Sequence, residues 1–209
     1  MRTAVIDYGM GNLRSVLRAL EFVGAKALTL STQPEEILAA DRVVFPGQGA
    51  VRDCMSALHR YELIDALTQA MASRPFLGIC MGMQALMSES EENQGVAALG
   101  HFAGRVRHFR ELTQGNTALK IPHMGWNQVH QTADHPLWQG IAQDERFYFV
   151  HSYYVAPQDP AIVQGQSTYG EAFAAAIGKA NVFATQFHPE KSQQPGLRLL
   201  ENFLSWDGD

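Results

Sequence analysis

Short apolar runs alternate with segments of helical periodicity through the first 90 residues. Continuous runs at 3–7, 27–30, 42–45 and 75–79 predict buried strands. Apolar side chains at helical spacing predict helices over 13–20, 34–39 and 51–72, and Met83, Leu86 and Met87 form a further helical stripe after the fourth strand. This alternation predicts right-handed βαβ crossovers, and therefore a largely parallel sheet with helices on both faces.

The pattern changes near residue 95, where glycine and histidine become frequent and apolar residues occur in short alternating stretches, as around Phe147 and at 151–155. Segments 162–167, 173–177 and 182–187 are predicted to be strands in an antiparallel or mixed arrangement. An amphipathic helix is predicted over 197–204, after Pro195 and Gly196. No repeat or linker divides the sequence, so we expect residues 1–209 to form a single α/β domain with a mixed, mostly parallel sheet flanked by helices.

Composition narrows the class of protein. Of the 209 residues, 46% are hydrophobic and 18% are charged, which supplies a core and excludes an intrinsically disordered chain. A net charge of −5 argues against binding to phosphate backbones, so no nucleic acid partner is expected. Only two cysteines occur, and neither a secretory signal nor an apolar run of about 18 residues is visible. We expect a soluble, cytoplasmic protein without a disulfide framework.

The most specific local feature is the sequence Gly-Ile-Cys-Met-Gly at 78–82, between a predicted strand and a predicted helix. A nucleophile on a tight strand-to-helix turn needs small residues on either side, and Gly78 and Gly82 meet that need. The start of a helix also favours the thiolate form of Cys80. A lone cysteine is more often a small core residue, and this remains the interpretation of Cys54, which has no glycine neighbours.

A thiolate nucleophile needs a base, and His188 is the best placed of eight histidines. It follows the apolar run 182–187 and precedes Pro189 and Glu190. Residues two apart in an extended segment point the same way, so Glu190 is positioned to orient the His188 ring. Taken alone, His-Pro-Glu is common in ordinary loops; combined with Cys80 it predicts a Cys-His-Glu triad.

Glycines also flank Gln48, in the segment Pro-Gly-Gln-Gly-Ala at 46–50 that follows the third predicted strand. They allow backbone amides to face an oxyanion, although a plain strand-to-helix turn would look the same. No complete dinucleotide fingerprint, phosphate-binding loop or zinc-ligand spacing occurs. No cofactor and no metal are expected.

Together and in this order, these segments resemble the triad-type (class I) glutamine amidotransferases, whose domain is flavodoxin-like. Within that superfamily, segments 7–12, 123–127, 149–154 and 188–192 resemble the glutaminase subunits of imidazole glycerol phosphate synthase, an enzyme of histidine biosynthesis. The match covers nearly the entire chain. Gln48 departs from the family, which more often has an aliphatic residue there.

The resemblance implies that Cys80 attacks the glutamine carboxamide, His188 transfers the proton and Glu190 orients His188, which releases ammonia from a glutamyl thioester. It implies an oxyanion hole formed by the amides of Gly49 and Met81. The substrate contacts it implies are Gly47, Gln84, Ser152 and Tyr153. Gln84 as a surface helix residue and Tyr153 as a core residue are the alternatives.

The resemblance also implies a heterodimer with the (β/α)8-barrel cyclase subunit. The predicted interface residues are Asn12, Trp126, Tyr148 and Lys191, with the alternative that Trp126 and Tyr148 are core aromatics. Two other functions stay open from the residues alone. One is a regulatory subunit with a vestigial site, and the other is an amidotransferase or cysteine hydrolase of a different pathway.

Overall fold

Thirteen strands and six helices follow one another in the computed structural model, which describes residues 1–112 and 119–209. The strands are β1 (Arg2–Ile6), β2 (Ala27–Ser31), β3 (Arg42–Gly47), β4 (Phe76–Cys80), β5 (Met87–Ser90), β6 (Val96–Ala97), β7 (Phe102–His108), β8 (His123–Gln131), β9 (Glu145–His151), β10 (Tyr153–Pro157), β11 (Val163–Tyr169), β12 (Glu171–Lys179) and β13 (Val182–Thr185). The helices are α1 (Leu13–Phe22), α2 (Pro34–Leu38), α3 (Val51–Arg60), α4 (Ile64–Ser73), α5 (Met81–Ala85) and α6 (Gln193–Ser205).

Nine of the described strands form one mixed sheet in the order β2-β1-β3-β4-β13-β12-β11-β8-β9. The pairings from β2 to β13 are parallel, and those from β13 to β9 are antiparallel. β13 therefore returns from the antiparallel half to lie beside β4 in the centre. This arrangement confirms the predicted change from parallel to antiparallel pairing along the chain.

Alternate residues of the central strands face two separate apolar layers. Val43 and Phe45 of β3 pack with α2, α3, α4 and α5, whereas Val44 packs with α1 and α6 on the opposite face. Helices therefore cover both faces, as predicted. A smaller sheet in the order β10-β7-β5-β6 packs beside the first layer through Phe102 and Val106. No helix of the described residues is long and apolar enough to cross a membrane.

The prediction of one continuous helix over 51–72 is wrong, because two helices, α3 and α4, occupy that segment. Glu62 between them has a φ of 56°. The Glu62 N–H donates to the His59 carbonyl and the Leu63 N–H to the Leu58 carbonyl. This is a Schellman motif, in which a left-handed residue satisfies the last carbonyls of a helix. The motif most often uses glycine, so Glu62 gave no sequence signal.

Three further parts of the secondary structure differ from the prediction. The helical stripe of Met83, Leu86 and Met87 is divided, because α5 ends at Ala85 and Met87 pairs with Phe102 as part of β5. β7 and β8 were not predicted as strands. Helix α6 begins at Gln193, so Pro195 and Gly196 lie in its first turn, where a proline N–H is not needed.

Candidate active site

Three neighbouring parallel strands end at the same edge of the large sheet. β3 ends at Gly47, β4 ends at Cys80, and His188 lies three residues beyond the end of β13. Because β4 lies between the other two, Cys80 has the glycine-rich loop after β3 on one side and His188 on the other. Ligand sites in open α/β sheets lie at this carboxyl edge.

Cys80 adopts a backbone conformation that is rare for a residue with a side chain. Its φ is 54° and its ψ is −103°, at the junction of β4 and α5. A side chain at Gly78 would press on the backbone of Gly82, and one at Gly82 would collide with the carbonyl oxygen of Phe45 at 1.9 Å. The two glycines therefore permit a strained turn of the kind that presents a nucleophile.

His188 and Glu190 form a buried, hydrogen-bonded pair. The His188 Nδ1 lies 2.8 Å from Glu190 Oε1, and the two side chains are 6% and 2% exposed. Since the carboxylate accepts, Nδ1 carries the proton and leaves Nε2 for another partner. Among the described groups His188 Nε2 has no hydrogen-bonded partner, and His188 lines the same cavity as Cys80.

The charge on His188 depends on Cys80. Burial opposes the charged imidazole, but the negative charge and hydrogen bond of Cys80, together with Glu190, raise the pKa of His188 to about 10. A thiolate and an imidazolium stabilise one another in this arrangement. The structure therefore brings Cys80, His188 and Glu190 together at one point.

The loop that carries His188 is hydrogen-bonded to the edge strand β9. The His188 N–H donates to the Tyr148 carbonyl at 2.9 Å. The Ser192 hydroxyl donates to the His188 carbonyl at 2.6 Å and accepts from the Tyr148 N–H at 2.9 Å. Gly196 lets α6 approach this loop, because a Cβ there would lie 2.0 Å from the Pro189 carbonyl oxygen.

A cavity of about 320 Å³ opens beside Cys80 and His188. Most of the predicted site residues line it: Gly49, Met81, Gln84, Ser152 and Tyr153. Glu92, which the sequence analysis missed, also lines it. Gly47 and Glu190 are not part of the lining; Glu190 lies behind His188 and Gly47 lies at the base of the loop. The alternative that Gln84 is a surface residue is wrong, since it is 5% exposed.

The loop after β3 is held at both ends. The Tyr8 hydroxyl donates to the Pro46 carbonyl at 3.0 Å, and a Cβ at Gly47 would lie 1.9 Å from that hydroxyl. At the far end, Glu92 Oε2 accepts from the Val51 N–H at 2.9 Å. Gly49, between these anchors, has a φ of 97°, which favours glycine.

Two buried histidines support the junction of β9 and β10, where Ser152 and Tyr153 lie. His151 Nδ1 lies 2.7 Å from the Tyr153 carbonyl, which can only accept, so His151 donates there. Its Nε2 then accepts from His123 Nδ1 at 2.9 Å, and His123 Nε2 accepts from Asn127 at 3.2 Å. Both rings are neutral in this chain. Burial lowers the pKa of His151 to about 3 and that of His123 to about 4.

The four predicted interface residues are all at least partly exposed. Trp126 is 44% exposed, and its ring packs edge-on against the half-buried Tyr148 at 6.0 Å between centroids. Trp126 is therefore not a core aromatic. Lys191 is half-buried, and its N–H donates to the His188 carbonyl. Asn12 is exposed at the start of α1, where its Oδ1 accepts from the Ser15 N–H at 3.4 Å.

Other features of the described residues offer no comparable chemistry. A groove of about 680 Å³ crosses the smaller sheet, but no cysteine or histidine lines it. Four of its five charged residues pair, as Arg105 with Glu89 and Arg107 with Glu111, and the fifth, Glu91, accepts from the His108 N–H. No group of three or more His, Cys, Asp or Glu side chains in the described ranges is placed to hold a metal ion. Cys54 is fully buried, and burial raises the pKa of its thiol to about 12, as expected for a core cysteine.

Comparisons with known proteins identify the family of this chain. The family model of glutamine amidotransferase class-I matches residues 4–206. The chain is similar to imidazole glycerol phosphate synthase subunit HisH of Methylococcus capsulatus (57% identical, covering 98% of this chain and 96% of that protein). It is also similar to subunit HisH of Nitrosococcus oceani (55% identical, 98% and 97%) and of Chromobacterium violaceum (52% identical, 100% of each).

Solved structures with the same fold are more distant in sequence. PurLQS from Thermotoga maritima has a TM-score of 0.72 and 19% identity, covering 98% of this chain and 97% of that chain. A structure described as glutamine amidotransferase has a TM-score of 0.73 and 18% identity, covering 97% of each. With a family model spanning 4–206 and relatives more than half identical over the full length, the chain belongs to the glutamine amidotransferase class-I family and, within it, to the HisH subunits of imidazole glycerol phosphate synthase.

Proposed function

We propose that this chain hydrolyses glutamine to glutamate and ammonia and passes the ammonia to a cyclase subunit in histidine biosynthesis. The observation that carries the proposal is the convergence of Cys80, His188 and Glu190 at the mouth of a cavity sized for an amino acid. The printed names of the relatives support the pathway and the need for a second subunit. A vestigial site is not favoured, since all three triad positions are filled. A different pathway is not favoured either, since the relatives that are more than half identical are HisH subunits.

In the first step, the Cys80 thiolate attacks the carboxamide carbon of glutamine. His188 then gives its Nε2 proton to the nitrogen that leaves, so ammonia departs and a glutamyl thioester forms on Cys80. Glu190 accepts from His188 Nδ1 throughout, which fixes the tautomer and stabilises the imidazolium. The raised pKa of His188 agrees with a side chain that is protonated at the start of the reaction and acts first as an acid.

In the second step, water hydrolyses the thioester. His188, now neutral at Nε2, takes a proton from the water as its oxygen attacks the acyl carbon. The thiolate leaves, His188 is again protonated, and glutamate is released. Each tetrahedral intermediate carries an oxyanion, for which we assign the backbone N–H groups of Gly49 and Met81 as donors.

Substrate recognition is assigned to the polar lining of the cavity. Gln84, Ser152 and Tyr153 line the cavity together with Gly49 and are proposed to hold the α-amino and α-carboxylate groups of glutamine. Glu92 adds a carboxylate to this lining, so it is well placed to accept from the α-ammonium group.

The partner is proposed to be a cyclase subunit with a (β/α)8-barrel fold, and the complex a heterodimer. The proposed contacts are Asn12, Trp126, Tyr148 and Lys191; of these, Tyr148 and Lys191 bond the backbone of His188, which lines the Cys80 cavity, and Trp126 packs on Tyr148. Exposed Trp126, with Met124 at 61% exposure on the same strand, forms an apolar patch suited to a docked protein. Docking there would enclose the ammonia before water protonates it.

The proposal is tested by supplying nitrogen in two forms. In complex with the cyclase subunit, Cys80→Ala should abolish synthesis from glutamine and leave synthesis from added ammonium, because only hydrolysis needs the thiolate. Cys54→Ala, at the other cysteine, should keep both activities and controls for thiol loss. Equal loss with both nitrogen sources in Cys80→Ala would contradict the assignment of Cys80 as glutaminase nucleophile.

A further inference from the structure

Gln186 lies fully buried next to the nucleophile, at a position that the sequence analysis passed over. Its Nε2 is 3.7 Å from Cys80 Sγ, within hydrogen-bonding distance for sulfur. Its backbone N–H donates to the Ala175 carbonyl at 2.8 Å, which fixes the residue at the end of β13. Gln186 thus touches the reacting atom without belonging to the triad.

The orientation of the Gln186 amide follows from a backbone carbonyl two contacts away. Gln84 Nε2 donates to the Tyr153 carbonyl at 3.1 Å, and the same Nε2 lies 3.0 Å from Gln186 Oε1. The Tyr153 carbonyl only accepts, so the NH2 group of Gln84 must face it. That NH2 group can only donate to Gln186, so the oxygen of Gln186 faces Gln84 and its NH2 group faces the Cys80 sulfur.

We infer that Gln186 is a further catalytic residue, which donates to the Cys80 thiolate and fixes the amide of Gln84 toward the substrate. This inference rests on the proposed glutaminase function. Both protons of the Gln84 amide nitrogen are used inside the protein, which leaves its Oε1 as the group that can face the cavity. An oxygen there accepts from the α-ammonium of glutamine, whereas a turned amide would present a donor and repel it.

A donor beside the sulfur has a defined effect on the thiol. Hydrogen bonding to the charged form of a group favours that form, so the Gln186 amide stabilises the thiolate over the thiol. Protonated His188 also places positive charge near the Cys80 sulfur, but it loses that charge when it gives its proton to the leaving ammonia. Gln186 carries no transferable proton, so its contribution persists through the cycle.

Two substitutions separate the two roles of this side chain. Gln186→Met removes both the donor and the acceptor at similar length. Gln186→Glu keeps an oxygen toward Gln84 and replaces the donor toward Sγ with a carboxylate oxygen. Gln164→Met is the matched control, because Gln164 is also a buried glutamine that bonds a backbone carbonyl, at Gly178, and it does not line the cavity.

The first measurement is the pH profile of Cys80 alkylation by iodoacetamide in the full-length chain. Mass spectrometry of the Cys80 peptide separates it from Cys54. We expect the midpoint of the alkylation profile to rise by about one pH unit in Gln186→Met, which corresponds to roughly tenfold less thiolate at a fixed pH below the midpoint. In Gln186→Glu the midpoint should rise at least as far. Gln164→Met should keep the wild-type midpoint.

The second measurement is glutaminase kinetics in complex with the cyclase subunit. Gln186→Met should lower kcat and raise the KM for glutamine several-fold, because the Gln84 amide is free to turn. Gln186→Glu should lower kcat and keep a KM near the wild-type value, because its oxygen still accepts from Gln84. A role limited to packing would give no such division between kcat and KM.

A wild-type alkylation midpoint in either folded Gln186 variant, with folding checked by circular dichroism, would overturn the inference. If Gln186→Met does not fold, Gln186→Glu, which has nearly the same shape as glutamine, decides the question alone. The alkylation profile does not require turnover. A wild-type complex without glutaminase activity would therefore refute the proposed function and leave the result for Gln186 readable.

Discussion

The buried pair of His123 and His151 should make the folded state sensitive to mild acid. Both rings are neutral in the folded chain, and their hydrogen bonds run in one direction from Asn127 to the Tyr153 carbonyl. An added proton on His151 would place two N–H groups against each other. The unfolded chain has no such restriction and takes up the proton at the ordinary histidine pKa of about 6.5.

The sign and size of the effect follow from the difference in bound protons. Below about pH 6.5 the unfolded chain protonates His151, whereas the folded chain does not until the pKa of about 3 that burial imposes. The unfolded state then binds more protons, so the free energy of unfolding falls as the pH falls. For His151 alone the loss is about 1 kcal/mol between pH 6 and pH 5, and roughly 5 kcal/mol over the whole interval.

Urea unfolding at several pH values measures how the free energy of unfolding changes with pH, that is, its slope against pH. The comparison is between wild type and His151→Gln, which can still donate to Tyr153 and accept from His123 but does not titrate. His151→Gln should lose about 1 kcal/mol less than wild type between pH 6 and pH 5, even though it is less stable at pH 7. His59→Gln, on the exposed side of α3, removes a histidine from the surface and should keep the wild-type slope.

Identical slopes in wild type and His151→Gln would refute the assignment of a neutral, proton-excluding His151. A steeper slope in the variant would reverse the sign and refute it equally. Since other histidines, such as the half-buried His135, also have lowered pKa values, only the difference between the two proteins is diagnostic.

Three predictions concern the active site and its partner. Glu190→Gln should be milder than Cys80→Ala in glutamate formation by the complex, because it leaves the nucleophile and base in place; equal inactivity would show that Glu190 does more than orient. The purified chain alone should be almost inactive on glutamine, because we expect the Gly47–Gln48 peptide to lie in an unproductive orientation in the free chain, from which the flanking glycines let it turn toward the oxyanion; robust glutamate formation without a partner would contradict this. Trp126→Ala and Lys191→Ala should weaken binding to the cyclase subunit in calorimetry, Trp126→Ala by about 2 kcal/mol or more, or uncouple hydrolysis from synthesis; unchanged affinity and coupling in both would place the docking face elsewhere.

Most of the parallel half of the sheet was predictable because strands β1, β3 and β4 are buried on both faces. Strands β1, β3 and β4 are therefore continuous apolar runs that local sequence alone reveals. Strand β8 is different. Its first five residues include the buried polar His123 and the exposed apolar Trp126, so burial there runs against hydropathy, and the strand is defined by its pairing with β9. Pairing between distant segments leaves no local signal of this kind.

The triad was predictable for a related reason. Cys80 needs Gly78 and Gly82 within two residues, and His188 and Glu190 are two apart, so each constraint is local. Glu92 reaches the cavity from a short turn with no periodic pattern. Gln186 could have been found, because it lies two residues before His188 in an extended segment, where alternate side chains share a side.

The partner's expected effect differs between the two sides of the nucleophile. Cys80 ends β4, the strand between β3 and β13, and its turn is packed by glycines against the core. His188 is held instead by Tyr148, whose carbonyl takes the His188 N–H and whose ring packs on exposed Trp126 at the predicted interface. A subunit docked on the Trp126 and Tyr148 rings would therefore contact β9, the strand whose backbone accepts the hydrogen bond from His188. We expect docking to alter the His188 side of the triad and the loop at Gly49, and to leave the Cys80 turn unchanged.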